Sequence, residues 1–341
     1  MRPLIRRRRT DAGDSRETTL RQTNIEIAGS SGGPDTSKTS DATRSRIRLL
    51  RAPAESTGHR ERTARARTST PVPPLIGREP ELAALRADLD AALGGSGRVV
   101  LLGGEPGIGK TRLASVLAEE AESRGVPVWW GRGWEDGSAP AFWSWNSALR
   151  RWMDQVGAAA VDAAAGSWSA ELAHVFPVLR DGRPELLNSE SWELDGAGFR
   201  FFDIASRFLG AVARPAGLLV VLDDVHWADR ASLKLLEFIA ADVTEMRLLV
   251  VATYRDTEVQ LEDPFITTLT RLAREPSTHR RLLDGLSAAH CARWLALADA
   301  RGDAVALGEA LHRETNGNPF FVGEIVNLLA AEEELDTPWD T

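Results

Sequence analysis

Cysteine, lysine and long apolar runs are all scarce in this chain of 341 residues, and each scarcity excludes something. The one cysteine, Cys291, has no partner for an intrachain disulfide and cannot by itself build a thiolate zinc cluster. No apolar run approaches the ~18 residues that a membrane helix needs. The first nine residues are rich in arginine, but no apolar segment follows them, so a secretory leader is not expected. Lysine occurs only at Lys38, Lys110 and Lys234; every other basic residue is arginine. Heavy use of Arg, Ala and Gly hints at a bacterial source. What is present is ordinary for a folded chain: 43% hydrophobic and 26% charged. That composition excludes collagen, a coiled coil and wholesale disorder, and it suffices for one large or two ordinary domains.

The net charge of −8 conceals two kinds of chain. Of the 41 basic residues, 16 fall within 1–70, against 8 of the 49 acidic ones. The remainder is therefore strongly acidic. Residues 1–70 are rich in Arg, Ser, Thr and Gly and poor in aromatics. They cannot bury enough apolar surface to offset the entropy of ordering, and a disordered tail is expected there. Its Arg6–Arg9 and Arg60–Arg67 runs offer a sharper alternative, contact with nucleic acid or acidic lipid.

Regular patterning begins at Pro71. Pro80 suits the first turn of a helix, and Leu82, Leu85, Leu89 and Leu93 recur at helical spacing until Gly94-Gly95. Arg98–Leu102 reads as a buried strand. A glycine-rich turn and a helix carrying Leu113, Val116 and Leu117 follow. Val126–Trp130 reads as a second strand, 141–215 as mostly helical, and Leu218–Leu222 and Leu248–Ala252 as two more buried strands. Uninterrupted apolar runs of this length fit a parallel sheet covered on both faces. From about residue 286 the pattern is helical, and Glu332 to Thr341 is an acidic tail. No repeat of 20–50 residues is visible.

Two motifs carry chemistry. Gly104-Glu105-Pro106-Gly107-Ile108-Gly109-Lys110-Thr111 fits G-x-x-x-x-G-K-[ST], between a strand and an amphipathic helix. Such a loop turns its amides toward phosphate oxygens, and the following helix adds its positive end. Lys110 would reach the β- and γ-phosphates and Thr111 would offer its hydroxyl to Mg²⁺; a purely structural turn would need neither. The second motif is Asp223-Asp224, at the end of the Leu218–Leu222 strand. Carboxylates there are costly unless they hold a cation, and Mg²⁺ is the natural one beside a phosphate loop. Asp223 is assigned to the metal and Asp224 to the attacking water as general base. Asp229 reads as the cap of the next helix. His226 reads as a structural residue packed with Trp227. The Trp residues at 129, 130, 134, 143 and 145 read as packing, with an exposed partner surface as the alternative.

Four stretches, Leu75-Ile-Gly-Arg-Glu79, the 104–111 loop, Leu222-Asp-Asp-Val-His-Trp-Ala-Asp229 and Thr315-Asn-Gly-Asn-Pro-Phe-Phe-Val322, resemble the AAA-related ATPase modules of the STAND class. These occur in large ATP-binding LuxR-type regulators and beside some adenylyl cyclases. The resemblance spans about residues 74–331. It implies an α/β fold, the P-loop NTPase three-layer sandwich with a parallel sheet at 71–285, followed by a small helical lid at 286–331. It places Ile76, Gly77 and Arg78 at the adenine pocket. The phosphate loop runs from Gly104 to Thr111 with Arg112 after it, Arg255 stands at the sensor position facing the γ-phosphate, and Pro319 lies in a lid turn that contacts the base. The implied cofactors are ATP and Mg²⁺. The implied activity is slow, switch-like ATP hydrolysis in a cytoplasmic signalling or transcriptional regulator.

Such modules usually precede helical repeats, a DNA-binding domain or a cyclase. None is visible here after the lid. A protein partner or effector supplied in trans is therefore expected, or else the chain is a fragment. A nucleotide-dependent oligomer and nucleic-acid contact through the basic tail are further expectations. The competing readings are a nucleotide-holding module with negligible turnover, a DNA-associated AAA-type ATPase, and a small-molecule kinase. The paired acids and the helical lid weigh against the kinase.

Overall fold

The computed structural model describes residues 75–135, 138–180, 194–257, 264–298 and 303–335. The expectations for the Arg-rich segment 1–70 and for residues 336–341 lie outside that set.

Helix α1 (Glu79–Leu93) leads into β1 (Arg98–Gly103), α2 (Lys110–Ser123) and β2 (Val128–Arg132). Helices α3 (Trp143–Val156), α4 (Ala158–Ala165), α5 (Ser169–Val175) and α6 (Leu194–Ala213) come next. They are followed by β3 (Leu218–Asp223), α7 (Arg230–Asp242), β4 (Leu248–Tyr254), α8 (Pro264–Leu272) and β5 (Thr278–Leu282). Three helices close the described chain: α9 (Ala288–Leu297), α10 (Ala304–Thr315) and α11 (Pro319–Leu335). Residues Glu332–Leu335, read from sequence as tail, are thus helical.

The five strands form one parallel sheet in the order β2-β3-β4-β1-β5. Strands β3 and β4 are buried along their whole length, as continuous runs of Leu and Val require when both faces are covered. Alternation within each strand divides the core in two. Val99, Leu101, Val220, Leu222, Val250 and Ala252 meet Trp129, Trp145, Phe208 and Leu236 on one face. Val100, Leu102, Val221 and Val251 meet Leu85, Leu89, Leu113 and Leu117 on the other. The sandwich therefore has three layers, with α1 and α2 on one side and α3, α6, α7 and α8 on the other.

This topology determines where a ligand can sit. Strand β1 hands over to α2 on one face, and its neighbour β4 hands over to α8 on the opposite face. Where adjacent strands send their connections to opposite faces, a crevice opens beyond their carboxyl ends. The phosphate-loop motif and residue 255 lie at these two strand ends.

Strand β5 is absent from the sequence reading. Its Thr-His-Arg-Arg-Leu composition gives it no apolar alternation. It is held as an edge by paired charges: Asp88, buried on α1, accepts from His279 Nδ1 at 2.8 Å and from Arg281 at 2.6 Å. Strand β2 begins and ends two residues later than expected. Val126 is used up by the turn after α2, donating to Ala121 O, while pairing with β3 carries the strand on to Arg132, opposite Asp223.

In the helical segment, α9 and α10 pack closely. A Cβ at Gly308 would lie 2.7 Å from the Cβ of Ala292. Ser287 caps α9 through the His290 amide, and Asp303 caps α10 through Val305 and Ala306.

Candidate nucleotide site

Residues 104–109 connect β1 to α2 as a tight loop. Gly107 and Gly109 have φ of 79° and 101°, a region that a side chain strains. Gly107 is also crowded: a Cβ there would lie 2.7 Å from the Cβ of Phe320 and 2.9 Å from Asn318 Oδ1. Lys110, at the first turn of α2, is buried. Its ammonium donates to the carbonyls of Gly104 at 2.7 Å and Glu105 at 2.9 Å. Burial pushes its pKa down from the ordinary lysine value. Asp224, Asp256 and Asp223 pull it back up, and Arg255 adds to the lowering. A buried cation in a strand-end crevice marks a candidate functional position.

Thr111 donates its hydroxyl to Asp223 Oδ1 at 2.9 Å, so the loop and the end of β3 touch. Thr253, at the end of β4, donates to the same oxygen at 2.7 Å and accepts from the Asp224 amide at 2.9 Å. Asp223 is buried, and Thr253 fixes its rotamer. The register explains the meeting: Leu222 lies opposite Ala252, so Asp223 and Thr253 emerge side by side. Asp224 has left-handed backbone, φ 56°, which a short polar residue tolerates and which turns its carboxylate out of the strand. Arg255 Nε stands 3.9 Å from Asp224 Oδ1. Arg132, unforeseen in the sequence reading, brings Nη2 to 3.4 Å from Asp223 and 3.7 Å from Asp224. Hydroxyl and carboxylate oxygens grouped like this suit a hard cation.

The other candidate residues have structural partners. Ile76 and Gly77 are buried, and Gly77 lies against the ring of His290 on α9. Arg78, also buried, donates to the carbonyls of Ile108 at 3.1 Å and Asp284 at 2.6 Å and pairs with Glu81. Arg112 pairs with Glu119 at 3.7 Å, along its own helix. Pro319 opens α11 in a turn whose neighbours reach the phosphate loop: Asn318 Nδ2 donates to Pro106 O at 2.9 Å and the Phe320 amide to Gly107 O at 3.3 Å. Asn318 carried no sequence signal of its own for this contact.

Beyond the acid pair, His226 and Trp227 pack with ring centroids 5.1 Å apart. Asp229 caps α7 by accepting from Ser232 N. It also accepts from the amides of Phe142 and Trp143 at the start of α3. The tryptophans divide: Trp129 and Trp145 are core, while Trp134 is 47% exposed and lies edge-on to Trp143.

A strand–loop–helix with a buried lysine, set beside a strand ending in two carboxylates at the switch point of a parallel sheet, defines a P-loop NTPase fold. Residues 74–251 match the AAA ATPase domain, and the chain belongs to that family. Family membership implies nucleotide binding. An uncharacterized protein of Rhizobium meliloti (strain 1021) is 28% identical over 273 residues, which is 77% of this chain and 26% of that protein. Among solved structures, a signal transduction ATPase with numerous domains (STAND) bearing a tetratricopeptide repeat sensor, from Pyrococcus horikoshii, aligns over 76% of this chain and 32% of its own. Its TM-score is 0.45 at 17% identity. The Cdc6p protein of Pyrobaculum aerophilum aligns over 79% of this chain and 65% of its own, with a TM-score of 0.48 at 16% identity. The chain thus spans about a quarter of its curated relative and about a third of the STAND protein. Among the described residues no helix is long and apolar enough to cross a membrane.

Proposed function

We propose that this chain is an ATP-binding, Mg²⁺-dependent switch module of the STAND type, which hydrolyses ATP slowly and acts on an effector domain or a protein partner. The observation that carries this reading is the convergence of Lys110, Thr111, Asp223, Asp224 and Thr253 at the carboxyl ends of three neighbouring strands.

In this reading the loop amides and Lys110 hold the β- and γ-phosphates. Thr111 and Asp223 would hold the magnesium ion, which supplies neutralisation of phosphate charge. Asp224 orients a water and takes its proton as the water oxygen bonds to the γ-phosphorus and the bond to the ADP oxygen breaks. Arg255 faces the same carboxylate and is the fixed cation for the γ-phosphate. Ile76, Gly77, Arg78 and Pro319 would border the base. Residues 286–331 serve as the lid that the triphosphate ties to the sheet domain and that hydrolysis releases.

A second reading, a nucleotide holder with negligible turnover, is favoured by one observation. Arg132 Nη2 at 3.7 Å and Arg255 Nε at 3.9 Å both face Asp224, and a carboxylate engaged by two guanidinium groups is less free to orient a water. Single-turnover hydrolysis of ATP by wild type and Asp224→Asn separates the two. A fall of about 10²-fold or more in the variant supports catalysis by Asp224; equal residual rates leave binding alone.

A further inference from the structure

A phosphate loop must turn its amides toward an anion, so its carbonyls must point elsewhere and be satisfied there. Here each carbonyl from Gly104 to Ile108 has a donor. Lys110 takes those of Gly104 and Glu105. The next three are taken from outside the loop: Pro106 O by Asn318 Nδ2, Gly107 O by the Phe320 amide and Ile108 O by Arg78. Two of these three donors lie in the turn that opens α11.

Asn318 is built for this one contact. It is 4% exposed. Its amide nitrogen donates to Pro106 O while its Oδ1 accepts from the Phe320 amide at 3.1 Å, which locks the side chain in one orientation. The turn that presents it is itself pinned. Asn316 and Gly317 both have positive φ, 51° and 69°, and Gly317 O accepts from Leu286 N at 2.7 Å. Gly107 is the matching surface, since any Cβ there would collide with Phe320 and Asn318.

We propose that Asn318 is a positioning residue for the phosphate loop. It anchors the Pro106 carbonyl and so aims the Gly107 N–H at the phosphate tail. The carbonyl of Pro106 and the amide of Gly107 are opposite ends of one rigid peptide plane, so fixing one end aims the other. This rests on the nucleotide-site reading above and adds that α11 senses the phosphates through the back of the loop. By linkage, whatever α11 contributes to phosphate affinity the phosphates return to α11.

Binding of ATPγS, ADP and AMP is compared by calorimetry and displacement in wild type, Asn318→Asp and Asn318→Ala. Asp keeps the shape but replaces the donor with a carboxylate facing a carbonyl. The proposal expects affinity for ATPγS and ADP to fall tenfold or more in both variants, with AMP affinity changed less than twofold. Equal losses for all three ligands would assign Asn318 a merely structural role, and unchanged ATPγS affinity would remove it from the site; either overturns the proposal. Hydrogen exchange on the wild type gives a test that needs no variant. ATPγS should slow exchange at the Phe320 amide at least fivefold and AMP should not; equal exchange with the two ligands overturns the coupling. If wild type binds none of the three nucleotides, the site reading itself fails and this proposal with it.

Discussion

Replacing Asp229 should destabilise the fold by an amount that can be estimated bond by bond. Its carboxylate accepts four hydrogen bonds: Phe142 N at 2.9 Å, Trp143 N at 3.1 Å, Ser232 N at 2.9 Å and Ser232 Oγ at 2.6 Å. It therefore caps two helices, α3 and α7, and joins the loop after the acid pair to the far layer. Asp229→Ala strands three backbone amides. At about 1 kcal/mol for each part-buried bond, a loss of about 3–4 kcal/mol is expected. For a domain of this size that lowers the melting temperature by about 8–12 °C. Asp229→Asn keeps one oxygen. Whichever way its amide turns, the NH₂ group faces a backbone N–H, and the cost should be about 1–2 kcal/mol. Urea denaturation followed by tryptophan fluorescence, with calorimetry alongside, measures both. If Ala lies within about 0.5 kcal/mol of wild type, or if Ala and Asn coincide, the double cap does not bear on stability as argued.

Lys110→Met should abolish ATP binding, which calorimetry on the folded variant checks. Because burial lowers the folded-state pKa of Lys110, its charge opposes folding, and that penalty fades as pH rises from the folded toward the unfolded value. Wild type should therefore gain on the variant in alkaline buffer; if it loses ground instead, the sign is wrong. Burial pushes the Cys291 thiol up to about 11, so only about one thiol in a thousand is ionised at pH 8. A disulfide reagent should label it only as the protein unfolds, and rapid stoichiometric labelling of the native protein would contradict its burial. Asp88→Ala should cost about 2–3 kcal/mol in urea denaturation by leaving His279 and Arg281 without their acceptor; a change under about 0.5 kcal/mol would show that the edge strand does not need it.

The three central strands and the phosphate loop were legible because local pattern decides them. Val99 to Leu102, Leu218 to Leu222 and Leu248 to Ala252 are apolar without interruption, and only a doubly covered strand accepts that. Asp229 could be read as a cap because a cap is a local device, but its second pair of amides, at Phe142 and Trp143, comes from a helix some 87 residues earlier. Strand β5 escaped because its stability lies in Asp88, a partner far away in sequence. Arg132 escaped for a related reason: only strand pairing with β3 brings it to the acids. Asn318 lay inside a recognised turn, yet its target, the back of the loop, appears only when α11 is in place.

The arginines of β5 have a consequence for self-association. The outer border of the sheet on that side shows Arg280 and Arg281 on one strand, with Leu282 51% exposed at its end. Arg281 is neutralised by Asp88, but exposed Arg280 donates to the neutral Tyr254 hydroxyl. A second copy adding its own β5 would bring two such guanidinium groups toward each other across a strand spacing of about 5 Å, a repulsive arrangement. Sheet-to-sheet continuation through this border is therefore discouraged.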